Sequence, residues 1–135
     1  MKTQAEEYVR AGDLDKALKA LTEDVRDNPA KPELRVFLFQ LLCVRGEWDR
    51  ALTQLNVAAE MDVECKLMAQ ACRPALECEA LREAVFAGEK SPLVFGQPAE
   101  WVALLTQVLP LLAKGNLKAA AALRDRAFEA APASG

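Results

Sequence analysis

The chain contains no histidine, so the side chain that most readily moves protons near neutral pH is missing. Aromatic residues make up only 6% and β-branched residues are sparse. Ala, Leu, Glu, Lys and Arg dominate instead, which disfavours strands and favours helices. Basic residues are in no excess: 17 Lys and Arg stand against 20 Asp and Glu, a formal net charge of −3. They are scattered and form no stripe, so nucleic acid and anionic membrane are poor partners. The first residues, Met1 to Glu7, have no apolar core for a secretion signal. The greasiest late run, Val102 to Ala113, is interrupted by Thr106, Gln107 and Pro110 and is too short to span a bilayer. The chain therefore reads as soluble and cytoplasmic.

Catalysis is also poorly provided for. Without His, a general base would be Asp, Glu, Lys or an activated Cys. The carboxylate pairs Glu6–Glu7 and Glu23–Asp24 are adjacent in sequence, so on a helix they point about 100° apart and do not converge. Cys43, Cys65, Cys72 and Cys78 lie inside apolar helical patterns, not at the spacings of a disulfide scaffold, and none has a cationic setting that would activate a thiolate. They read as small buried hydrophobes, with Cys65 and Cys72 two turns apart on one helix face. A metal site would need more ligands, and the glycines punctuate turns without forming a phosphate loop. A non-enzymatic chain with no cofactor and no metal is expected.

What is present is enough for one core. With 135 residues, 52% of them hydrophobic, the chain is expected to form a single all-α domain, 1–135. Its centre is the stretch Leu34 to Val44, too apolar for an ordinary one-sided helix. Leu34, Leu38, Leu41 and Leu42 make one stripe; Val36, Phe39, Gln40 and Cys43 fall largely on another.

An internal repeat organises the rest. Ala11-Gly12-Asp13-Leu14-Asp15-Lys16-Ala17-Leu18 recurs as Arg45-Gly46-Glu47-Trp48-Asp49-Arg50-Ala51-Leu52, 34 residues later, which is the tetratricopeptide period. Lys114-Gly115-Asn116-Leu117-Lys118-Ala119-Ala120-Ala121 is a third copy, displaced by one residue from three full periods. Each copy reads as helix, tight turn, helix. The glycine ends the first helix in a left-handed conformation, and in the first two copies acidic or polar residues start the second near its positive end. Ala17, Ala51 and Ala120 fall where two helices cross closely. Tyr8, Leu42 and Leu111 occupy one matching place, and Leu14, Trp48 and Leu117 another. Pro29 and Pro132 end their copies.

Stacked hairpins with about seven helices follow, in repeats of roughly 1–30, 31–63 and 98–132, with an insertion at 64–97. Phe39 and Val108 replace the small residue found at Ala5, and Arg124 stands where Leu21 and Leu55 stand, so the second and third copies should pack less tightly. Copy one has the character of a capping repeat. Within the insertion, Glu64 to Ala87 reads as a long helix kinked at Pro74. Ser91 to Pro98 is a non-helical loop, whose Leu93, Val94 and Phe95 are expected to fold back onto the core.

Leu34 to Cys43, Gly46 to Glu60 and Pro92-Leu93-Val94-Phe95-Gly96 strongly resemble the ImpE family, whose members are also called TagJ or SciE proteins. The likeness runs over nearly the whole chain, although family members continue into a further C-terminal segment. It implies an accessory role in bacterial type VI secretion: holding the N-terminal helix of the small sheath subunit, TssB, and through it a link to the ClpV ATPase. Stacked hairpins form a concave face able to accept such an amphipathic helix. If the first helices line it, Val36, Gln40, Cys43 and Val44 are the central contribution, with Val9 and Arg10 flanking and Phe39 filling the adjoining space. Phe37 and Phe39 read more readily as core than as partner contacts, whereas Gln40 reads the other way, because a buried amide would need a hydrogen-bond partner. Arg35 reads as a rim charge, and Glu6, Glu7 and Glu33 as a wet face. The competing expectation is a self-assembling scaffold that homodimerises through the last helix.

Overall fold

A computed structural model describes residues 3–133, and among these seven helices and no strands occur: α1 (Gln4–Arg10), α2 (Leu14–Asp27), α3 (Pro32–Val44), α4 (Trp48–Met61), α5 (Val63–Phe86), α6 (Glu100–Ala113) and α7 (Leu117–Ala130). They form two compact units, Met1–Glu79 and Ala80–Gly135, with α5 carrying the chain from one to the other.

The turns that the repeat implies are built in one way. At the end of α1 the Asp13 N–H donates to the Tyr8 carbonyl and the Gly12 N–H to that of Val9, which closes the helix with its orphan carbonyls satisfied. The same pair of bonds recurs from Glu47 to Leu42 with Gly46 to Cys43, and from Asn116 to Leu111 with Gly115 to Leu112. Tyr8, Leu42 and Leu111 thus hold one structural place, each supplying the backbone carbonyl that closes its helix. The three glycines have φ of 72° to 76°, a region costly for any residue with a Cβ. Downstream, the carboxylate of Asp13 accepts from the Lys16 N–H and the amide oxygen of Asn116 from the Ala119 N–H, capping α2 and α7. Glu47 does not cap α4; its carboxylate is taken by Arg45 and Arg50 instead.

In the first unit the hairpins α1–α2 and α3–α4 pack in succession. Ala17 and Ala51 are fully buried, as the close crossing requires, and Leu21, Leu42 and Leu55 are the largest side chains completely shut from water. Each of those leucines contributes about 1.5–3 kcal/mol of burial. The beginning of α5 adds Ala69 and Leu76 to this core, with Met68 and Cys72 against it. Polar side chains fasten the stack: Arg45 reaches Asp15 at 2.7 Å, Arg35 donates to Gln54 at 3.1 Å, and both Nε and Nη2 of Arg73 donate to Asn56. Arg35 is therefore a half-buried link between α3 and α4, not the rim charge expected from sequence. Its Nε is buried without a partner.

In the second unit α6 and α7 pack on each other, burying Leu104, Ala120 and Ala127. Helix α5 runs through Pro74 and α6 through Pro110 without interruption. The loop after α5 departs from expectation. Leu93 and Phe95 are 78% and 91% exposed, and Val94 is also exposed, so this apolar triplet does not fold back. Between Pro92 and Pro98 no regular hydrogen bonding satisfies the backbone, which must stay in water and carries its side chains outward.

Candidate functional site

Helix α3 has more apolar surface than one core can take. Leu38, Phe39, Leu41 and Leu42 are buried inside; of the stripe Glu33, Val36, Phe37 and Gln40, Phe37 packs partly against that core and the others lie outside it. Those four, with Pro32, form one side of a hollow of about 270 Å³ whose other side is Asp62, Glu64 and Cys65 from the turn between α4 and α5 and the first turn of α5. Cys65 thus walls the hollow without filling it. The space lies below the roughly 300–1,000 Å³ of small-molecule pockets and suits an apolar side chain or two.

A larger hollow, about 640 Å³, opens between α4 and α5, walled in part by Glu60, Asp62, Lys66 and Arg73. Its lining mixes charges of both signs with Ala59, Met61 and Val63, and its Arg73 is already bonded to Asn56.

The residues expected to meet a partner are therefore divided. Val36 and Gln40 come together at the smaller hollow. Gln40 is exposed there and not a buried amide. Phe39 is 6% exposed and belongs to the core, because α3 turns it toward the leucines. Cys43 is half-buried against the core, near Cys72, so α5 covers the place it was expected to present. Val9, Arg10 and Val44 are exposed at the ends of α1 and α3 and do not line the hollow. Sequence reasoning weighed Phe37 between core and partner contact, and passed over Glu33, Asp62, Glu64 and Cys65 as lining residues. The last three follow from α5 beginning directly after α4, a closeness visible only as the absence of a glycine or proline between Met61 and Val63.

Burial holds the Cys43 thiol above its ordinary pKa, with Cys72 adding to the effect. At Cys65 burial acts first, and the carboxylates of Asp62, Glu33 and Glu64 push the same way. Neither thiol is activated toward nucleophilic chemistry. Of the four cysteines, Cys78 is exposed and the other three are half-buried, so none is the fully buried hydrophobe expected. In Cys78 the reason is its place in α5, beyond Leu76, on the stripe turned away from the core.

The chain is an all-α protein of stacked helical hairpins, and the tetratricopeptide repeat family model matches its residues 8–73. Over 129 residues it is 56% identical to the type VI secretion system accessory component TagJ of Pseudomonas aeruginosa, which bears out the ImpE/TagJ resemblance read from its motifs. That similarity takes in 96% of this chain but 46% of the relative, so the chain spans about half the relative's length. Among the described residues, no helix is long and apolar enough to cross a membrane.

Proposed function

We propose that the chain is a non-catalytic, cytoplasmic adaptor accessory to type VI secretion, and that the hollow between α3 and the start of α5 receives an amphipathic helix of another protein. The N-terminal helix of a TssB-like small sheath subunit is the partner in this reading, and ClpV is reached indirectly through it. The observation that carries the reading is the hollow itself: Val36, Phe37 and Cys65 are only half-buried and line an open space between α3 and the start of α5. A helix offering apolar anchors every third or fourth residue matches such a surface, and a few anchors would supply most of the affinity.

The test is binding of a labelled peptide of the sheath subunit's N-terminal helix, followed by fluorescence anisotropy. Val36→Asp and Gln40→Ala are expected to weaken binding while leaving far-UV helicity unchanged. Pull-down of the full sheath subunit should be lost when its N-terminus is deleted. Retention after that deletion overturns the reading.

A second reading is favoured by α7. Leu117 and Phe128 are 65% and 62% exposed, and three turns separate them, so both lie on one side of the helix. Self-association through that side predicts a dimer in size-exclusion chromatography that is indifferent to the peptide.

A further inference from the structure

Charge, not only shape, distinguishes the hollow beside α3. Its apolar floor is Val36, Phe37 and Cys65, and three carboxylates, Glu33, Asp62 and Glu64, stand around it. Among the described residues no lysine or arginine lines it, and none of the three acids forms an ion pair with another of them. Asp62 is also fixed in place: its Oδ1 accepts the N–H of Glu64 at 2.7 Å and of Cys65 at 3.3 Å. The negative field reaches the floor, since the same three carboxylates raise the Cys65 thiol's pKa, second to burial. By contrast, three acids at the helix starts of the two hairpins are matched, Asp13 by Lys16, Asp15 by Arg45 and Glu47 by both Arg45 and Arg50.

We propose that this hollow recognises a helix carrying a lysine or arginine within one turn of its apolar anchor, the cation closing on Glu33, Asp62 and Glu64 as the anchor seats on Val36 and Phe37. The inference rests on the adaptor reading above and adds to it the chemistry of the partner. Like-charged rims of this kind steer encounter and reject acidic segments more than they add affinity.

The experiment uses the sheath subunit's N-terminal peptide as probe, with Kd measured at 50 and 500 mM NaCl for the unaltered chain, for E33Q/E64Q, for Val36→Asp and for Gln40→Ala, a second lining variant at an exposed position. Glu33 and Glu64 are exposed, so the double variant should keep its far-UV spectrum. E33Q/E64Q is expected to bind about fivefold more weakly at low salt, with the difference closing at high salt as screening removes it. Val36→Asp should weaken binding at both salt concentrations. If E33Q/E64Q binds as the unaltered chain does, or more tightly, while Val36→Asp and Gln40→Ala lose binding, the charge inference falls and the adaptor reading stands. If Val36→Asp and Gln40→Ala also bind normally, both fall.

Discussion

Single residues carry the turns, and Gly88 is the most constrained of them. It repeats at the end of α5 the arrangement that ends α1, α3 and α6, with its own N–H on Val85 and that of Glu89 on Ala84. Its φ is 76°. Unlike Gly12, which has open space where a Cβ would go, Gly88 is pressed against α6: an added Cβ would lie 2.7 Å from that of Ala113 and 3.0 Å from the Pro110 Cα. Gly12→Ala therefore incurs only the left-handed backbone penalty, about 1–2 kcal/mol. Gly88→Ala incurs that and a backbone clash, so its loss should exceed that of Gly12→Ala by at least about 1 kcal/mol. Urea unfolding of both variants decides it, and equal losses would mean that α5's end is not seated on α6.

At the scale of elements, the link between the first two hairpins is electrostatic and open to titration. Arg45, at the end of α3, bonds Asp15 of α2 and Glu47 at the head of α4, and Glu47 also takes Arg50. Hydrogen bonds from Arg45 first, then Arg50, hold the Glu47 carboxyl below the ordinary value of 4.5. The unfolded chain consequently binds this proton before the folded one does. Stability from the link is complete above about 4.5 and is lost as pH falls through the depressed folded value. Glu47→Gln should lower the melting temperature modestly at pH 6, and the gap to the unaltered chain should narrow as pH falls below 4.5. A gap that persists unchanged to pH 3 would mean that Glu47 acts by packing and not by charge. Much at this scale was legible beforehand: the bounds of α6 follow from Glu100 and Ala113, and the helix hairpins from the 34-residue recurrence around Gly12 and Gly46. What escaped reading depended on long-range placement. Nothing local to Arg35 says that Gln54 will meet its guanidinium, nor does the apolar character of Leu93-Val94-Phe95 show that two nearby prolines hold it in water. For the candidate site, Val36 and Gln40 could be read from the periodicity of α3, but its other wall required knowing where α5 packs.

The whole molecule divides at Glu79, in the middle of a helix. On the near side, Leu76 and its predecessors in α5 share a core with Leu21, Leu42 and Leu55. On the far side, Val85, Leu104, Ala120 and Ala127 are the buried apolar residues, two of them alanines. Far less large apolar side chain is enclosed there, while Phe86, Leu112, Leu117 and Phe128 remain exposed. Opening free energies should follow enclosed apolar surface, so the second unit is expected to open at lower free energy than the first. Native-state hydrogen exchange gives the measurement: amides of α6 and α7 should exchange through a smaller opening free energy than those of α3 and α4. Leu55→Ala, at a completely buried position, should lower protection of α3 and α4 by roughly 2–5 kcal/mol. If the division at Glu79 separates cooperative units, the same substitution should leave α6 and α7 within about 0.5 kcal/mol of their original values. Equal loss in all four helices would show that the continuous α5 binds the two units into one cooperative fold.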